Sequence, residues 1–293
     1  MHFDADSIRQ VARSAEAVAS YREQLERTGY LADDGLASMA SLAVTLGRPL
    51  LLEGPAGVGK TALAKALADA LDRDLFRLQC FEGIDAAQAL YDWNYHRQLA
   101  DLTANRADDV FTEKYILPRP LLRALQSDRG AVLLIDEIDR ADEAFEALLL
   151  EYLAEYQISI PEWCTVHAKV VPVTILTSNR TRPLSDALRR RCLYHHVDWP
   201  NAEREQAVVA LRVPDLPTDV TQSLVAAVRK LRNFDLMKPP GLSETLDWAE
   251  AFAKTPHAAW NAAWVRQTLG CVVKDAMDME TVLSRIAELI GDT

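Results

Sequence analysis

The run Leu50-Leu-Leu-Glu-Gly54-Pro55-Ala56-Gly57-Val58-Gly59-Lys60-Thr61 places glycines, a lysine and a hydroxyl at the spacing G-x-x-x-x-G-K-[ST]. These residue types suit one task, the wrapping of a polyphosphate. Glycines let backbone N–H groups turn inward around phosphate oxygens, and a helix starting at the end of the loop adds positive potential. Lys60 is placed to bridge the β- and γ-phosphates and Thr61 to offer its hydroxyl to Mg2+, so Gly54 to Thr61 predict binding of ATP with Mg2+. The whole chain has 11 glycines, so their crowding here reflects a need of the loop and not of the composition.

The second chemical feature is Val132-Leu-Leu-Ile135-Asp136-Glu137, a buried-strand run ending in two acids. Asp136 at the strand's carboxyl end is placed to hold Mg2+, directly or through water. Glu137 is placed to polarise a water for attack on the γ-phosphate, which points to hydrolysis and away from a small-molecule kinase. Asp139 and Asp142 read more simply as acidic caps on the following helix.

Two further positions stay open on residue chemistry alone. Asn179 follows the apolar run Val171–Thr177; it either orients the attacking water from a strand tip or forms a turn. Arg189, Arg190 and Arg191 close a helical stretch ahead of Cys192. They suit either a basic helix C-terminus complementing the dipole or an arginine finger reaching a neighbouring subunit's γ-phosphate.

The elements that must hold these residues can be read from periodicity. Residues 1–46 predict two helices, Ala5–Thr28 and Gly35–Leu46, ahead of the break at Gly47-Arg48-Pro49. Leu50–Glu53, Leu75–Gln79, Val132–Ile135, Val171–Thr177 and Leu193–Val197 then predict five strands separated by amphipathic segments. That is the pattern of an α/β core, 47–200, with a mostly parallel sheet. From 201 to 293 only helices are expected, over 201–212, 218–233, 243–254, 258–277 and 280–290, so a small all-helical domain follows the core.

Composition sets the remaining limits. Hydrophobic residues are 49% and charged residues 26%, as in ordinary globular chains. No apolar run approaches the ~20 residues of a membrane span, and the start MHFDADSIRQ lacks a basic segment followed by an apolar one. A cytoplasmic location is therefore expected. The net charge of −11 argues against nucleic acid as the main partner, since phosphate backbones are met by basic faces. Cys80, Cys164, Cys192 and Cys271 form no metal-ligand spacing and read as buried thiols.

These motifs, in this order, resemble an AAA+ ATPase of the MoxR group. The run from Asp136 to Ile158 resembles that group's extended Walker B strand and following helix. EGPAGVGKT, QCFEGIDAAQALYDWNY, LLIDEIDRAD and LTSNRTRPLSDALRRRC look closest to the ATPase of carbon monoxide dehydrogenase maturation, the CoxD type. The resemblance implies a P-loop core with a helical lid, assembled into a ring, usually a hexamer, with ATP between subunits. Asn179 would be sensor 1 and Arg191 the finger, with Arg189 and Arg190 beside it. The implied partner is a protein with a von Willebrand A domain, and the implied client a metalloenzyme, for the CoxD type a molybdenum hydroxylase.

Two inserted hairpins known in the group have counterparts. Tyr91, Trp93 and Tyr95 stand at period two, as on one face of a strand that either grips a client or packs on its own subunit. Ile158–Lys169, with Pro161 and His167, resembles the hairpin before sensor 1, and His167 reads as an exposed hairpin residue. One departure stands out. Where many relatives carry G-x-S-x-R in a lid helix, this chain has Gly241-Leu-Ser243-Glu-Thr245, and Lys238 precedes two prolines. A nucleotide-responsive ring with negligible hydrolysis is therefore a rival reading. A DNA-directed motor is another, opposed by the acidic charge and the lack of a helix-turn-helix appendage.

Overall fold

The computed structural model describes residues 19–106, 109–255 and 259–290. They divide into two compact units. The first contains the segments up to Thr28, Ala32–Glu53 and Lys60–His196; the second contains Gly29–Leu31, Gly54–Gly59 and the chain from Val197. Most of the helix expected over Ala5–Thr28 lies outside the described residues.

In chain order the first unit runs α1 (19–27), α2 (Asp34–Leu46), β1 (Leu50–Glu53), α3 (Lys60–Leu71), β2 (Asp74–Gln79), α4 (Ala86–Ala89), β3 (Tyr91–Trp93) and α5 (Tyr95–Thr103). It continues with β4 (Ile116–Pro118), α6 (Pro120–Gln126), β5 (Ala131–Asp136), α7 (Glu143–Glu155), β6 (Gln157–Ile160), β7 (Cys164–His167), β8 (Val173–Ser178), α8 (Asp186–Arg191) and β9 (Leu193–His196). Local chemistry sets the helix ends. Asp33 caps α2 by accepting the Leu36 N–H, and Gly47 closes it at φ 61. Asp142 caps α7 in the same way, accepting the Phe145 N–H.

The five expected strands form one sheet in the order β2-β5-β8-β1-β9, and every pairing is parallel. Parallel sheets need both faces covered. Accordingly β1, β5 and β8 are buried along their whole length, with Leu50, Leu51, Leu52, Leu133, Ile135, Ile175 and Leu176 fully enclosed. Each such side chain contributes about 1.5–3 kcal/mol on burial. The register aligns Glu53 with Ser178 and Gln79 with Asp136. The carboxyl ends of four strands thus finish at one edge of the sheet, where open α/β folds bind ligands.

Two antiparallel pairs lie outside this sheet. β6 and β7 form the hairpin expected around 158–169, pairing His167 with Gln157, and His167 is exposed. β3 pairs with β4, and here the expectation for Tyr91, Trp93 and Tyr95 is corrected. Only Tyr91 and Trp93 share the strand, half-buried against the core, and Trp93 meets Phe111 edge-on at 5.4 Å. The Asn94 side chain accepts the Arg97 N–H and starts α5, so Tyr95 opens a helix, 65% exposed.

The second unit is helical: α9 (Ala202–Arg212), α10 (Thr218–Arg232), α11 (Leu242–Ala253), α12 (Ala262–Thr268), α13 (Ala276–Ser284) and α14 (Ile286–Ile290). Asn201 caps α9, accepting the Arg204 N–H. The core gathers Val228, Leu231, Phe252 and Val265 around Trp248, Trp260 and Trp264, the rings of Trp248 and Trp264 stacked at 5.9 Å. The single helix expected over 258–277 is in fact two. A short 3-10 turn, Leu269–Cys271, ends α12, and the Asp275 carboxylate restarts the chain by accepting the Met277 and Asp278 N–H groups. Gly270 and the β-branched pair Val272-Val273 weaken helix at that point.

The cysteines also divide. Cys80 and Cys192 are buried, whereas Cys164 is exposed and Cys271 half-buried, so the expectation of four buried thiols fails at Cys164, on a hairpin with one open face. Burial pushes the Cys80 and Cys192 thiols up to about 12, leaving almost no thiolate at neutral pH. Native protein treated with iodoacetamide should carry the label on Cys164, with Cys80 and Cys192 labelled only after denaturation. Peptide mass mapping of early labelling at Cys80 would contradict the packing described.

Candidate functional site

The first unit brings Lys60, Thr61, Asp136, Glu137 and Asn179 together at the carboxyl edge of the sheet. Asp136, 3% exposed, ends β5 and accepts four hydrogen bonds. Thr61 and Thr177 donate from their hydroxyls to Oδ1 at 3.0 and 2.5 Å. Arg77 donates to Oδ2 from Nε and Nη2 at 3.0 and 2.6 Å. Because the Thr61 hydroxyl gives its one proton to Asp136, its lone pairs are left for a cation. Among the described residues no group of three or more His, Cys, Asp or Glu side chains could hold a metal. One hydroxyl and one carboxylate with no protein cage fit Mg2+, which keeps waters and takes its other oxygens from phosphates.

Glu137 follows at φ 55, a left-handed backbone. This turns its side chain away from the strand direction, and a Glu there bears strain that a functional site can retain. Its N–H donates to Thr177 Oγ1 at 2.9 Å, and its carboxylate pairs with Arg140 at 2.8 Å. Lys60, 6% exposed, donates from Nζ to Asn179 Oδ1 at 2.9 Å. Burial pulls the Lys60 ammonium below the ordinary lysine value, against the opposing pull of Asp139, Asp136 and Glu137.

Asp139 is corrected from a helix cap to a buried tie. Its Oδ2 accepts the Asn179 N–H at 3.2 Å and the Thr181 N–H and hydroxyl at 2.8 Å each, fixing the backbone that carries Asn179. At the neighbouring strand end Glu53, 2% exposed, accepts both contacts of Arg189 Nη2 at 2.9 and 2.8 Å and one from Arg180 Nε at 3.3 Å. Arg189 is therefore tied within its own chain. Arg190 and Arg191 are exposed, and their backbone carbonyls accept from Arg48. Arg182 pairs with buried Glu146, which also accepts the Ser185 N–H and so sets where α8 begins.

The glycine loop Gly54, Pro55, Ala56, Gly57, Val58 and Gly59 is grouped with the second unit. Gly57 and Gly59 take φ 75 and 97, a region glycine enters without penalty. Within that unit the Leu242 N–H donates to the Gly57 carbonyl at 2.9 Å, and a Cβ on Gly241 would meet Gly57 Cα at 3.0 Å. Thr245, at the position where the resemblance implied an arginine, is buried and donates to Glu205 at 2.8 Å. Arg232 grips the same carboxylate through two nitrogens at 2.8 and 2.6 Å. Lys238 is exposed, its N–H held by Asp278.

Sequence reasoning passed over Arg77, Thr177, Arg140 and Glu53. Thr177 and Glu53 were legible as polar residues closing otherwise apolar strands. Arg77 and Arg140 carry no such signal, because an arginine on an edge strand or in a short turn is ordinary.

Comparison with known proteins bears on this geometry. The family model for the AAA domain (dynein-related subfamily) matches residues 49–192. Gas vesicle ATPase GvpN of Haloferax mediterranei is 26% identical over 203 residues, covering 64% of this chain and 57% of the relative. Gas vesicle ATPase GvpN2 of Halobacterium salinarum is 26% identical over 266 residues, 85% of this chain and 76% of the relative. Protein NorQ of Paracoccus denitrificans is 26% identical over 191 residues, 63% of this chain and 64% of its own length. The chain thus spans little more than half of the first relative. Among solved structures, the Thermotoga maritima RuvB Holliday junction branch migration motor covers 94% of this chain and 68% of its own, at 16% identity and a TM-score of 0.42. A likeness at that level says nothing of function.

Proposed function

We propose that the chain, whose residues 49–192 match the AAA domain (dynein-related subfamily), hydrolyses ATP to remodel a protein client. The observation that carries this is the meeting of Thr61, Asp136, Glu137, Lys60 and Asn179 at one sheet edge. Mg2+, when bound, supplies charge that stabilises the phosphates through reaction. The chain's own residues do the rest. Lys60 neutralises the β- and γ-phosphates, Thr61 and Asp136 orient the cation's oxygen ligands, Glu137 takes a proton from the attacking water, and Asn179 aligns that water. The similarity to proteins named ATPases supports hydrolysis over a ring that only responds to nucleotide.

The finer reading is a ring, six-membered by resemblance, that works in the cytoplasm with a von Willebrand A-domain partner to mature a metalloenzyme. The client would be a molybdenum hydroxylase of the carbon monoxide dehydrogenase type. The separated motifs QCFEGIDAAQALYDWNY and LTSNRTRPLSDALRRRC support it. Similarity at 26% identity to gas vesicle ATPases supports the chemistry and leaves the client to experiment. Among the described residues no helix is long and apolar enough to cross a membrane.

The pocket is tested by Lys60→Ala. Removing an ammonium that meets phosphate costs roughly 10- to 100-fold in ATP affinity, by the size of a charge-assisted hydrogen bond. Native affinity in calorimetry would remove Lys60 from the phosphate site.

A further inference from the structure

Arg77 donates to Asp136 from the opposite side to the threonines. In the strand order β2-β5-β8-β1, β8 carries Thr177 on one flank of β5, and β2 carries Arg77 on the other. Oδ1 of Asp136 serves Thr61 and Thr177, while Oδ2 serves the Arg77 Nε and Nη2. The guanidinium is itself held, since Nη2 also donates to Gln79 Oε1 at 2.5 Å. Gln79 stands directly opposite Asp136 in the β2–β5 register. Two N–H groups of one planar guanidinium converge on Oδ2 while the two threonines hold Oδ1, so the two oxygens are fixed separately and the carboxylate is kept from turning; a single-point ammonium would hold Oδ2 through one contact only.

From this geometry we infer that Arg77 is a positioning residue for the cation site: it holds the Asp136 carboxylate turned so that Oδ1 faces Thr61. The inference rests on the reading of Asp136 as the Mg2+ carboxylate. Its contacts are with Asp136 and Gln79, so it acts through Asp136. Partners that orient a ligand group set metal affinity by about 10- to 100-fold when removed.

The experiment follows binding of N-methylanthraniloyl-ADP to the full chain, by fluorescence, across an Mg2+ titration and in excess EDTA. Arg77→Gln should move the Mg2+ midpoint up by about tenfold and leave affinity in EDTA at the native level. A residue that merely supports the fold would change both. Arg77→Lys, with the charge but not the fork, should fall between native and Arg77→Gln, and it serves alone if the glutamine variant does not fold. Adding Arg77→Gln to Asp136→Asn should shift the midpoint no further than Asp136→Asn does by itself, because the brace acts through that carboxylate. Arg77 variants titrating at the native midpoint, or below it as the loss of a competing cation would produce, overturn the inference while Asp136→Asn remains impaired. A native midpoint in Asp136→Asn instead overturns the assignment of Asp136.

Discussion

Glu137→Gln will bind MgATP like the native chain and release phosphate about 10²–10⁴ times more slowly, the usual contribution of a general base. The amide matches the acid in shape and accepts the same left-handed backbone at φ 55, so the Glu137 N–H keeps its bond to Thr177. Only the capacity to take a proton is lost. The resting structure pairs this carboxylate with Arg140 at 2.8 Å, a contact that is 58% exposed on the arginine side and weakly held in water. It therefore gives way to a substrate water at little cost. The measurement is phosphate release at saturating ATP beside equilibrium binding of a fluorescent analogue. Native turnover in the variant would remove Glu137 from the chemistry; lost binding would show that the substitution damaged the pocket.

The second large effect concerns Arg191 and depends on the proposed ring. Arg189 is spoken for by Glu53 of its own chain, whereas Arg190 and Arg191 stand exposed at the end of α8. Arg191→Ala should keep MgATP affinity and lose about 10³–10⁵ in rate, the range for an arginine finger. Mixing Arg191→Ala with Glu137→Gln subunits, each inactive alone, should restore part of the activity. Some interfaces then pair an intact Glu137 with an intact neighbouring Arg191. Mixed rings verified by mass that stay inactive at every ratio would place Arg191 within its own subunit or demand several intact sites together, and single-turnover kinetics separates those outcomes. Full activity of Arg191→Ala alone would move the role to Arg190.

The sheet was legible because its strands are apolar runs of the right length between helical periods. All five appear, β1 with the predicted ends Leu50 and Glu53. The phosphate loop and the Asp136-Glu137 pair were legible because few residue types can do their chemistry at that spacing. What escaped was held by tertiary contact or by a local cap that competed with the periodicity. Asp139 looks like a cap because local spacing permits one, and only the approach of the 179–181 segment makes it a tie. Tyr95 kept the period of a strand, but Asn94 had a capping bond available and the helix won. The break after Thr268 was hidden because the capping role of Asp275 shows only in the hydrogen bonds it makes.

The four contacts of Asp136 have a consequence for what that position can be. Every one of its partners is a donor: two hydroxyls on one oxygen and two guanidinium N–H groups on the other. Thr177 also receives the Glu137 N–H on its oxygen while giving its proton to Asp136, so it links the two acidic residues as acceptor of one and donor to the other. An asparagine has the same outline, yet its amide either sets N–H groups against the guanidinium N–H groups or, turned over, requires both hydroxyls to give up their donor roles. This corner of the molecule therefore asks for two acceptor oxygens and not merely for an outline, a demand its donors make before any cation arrives.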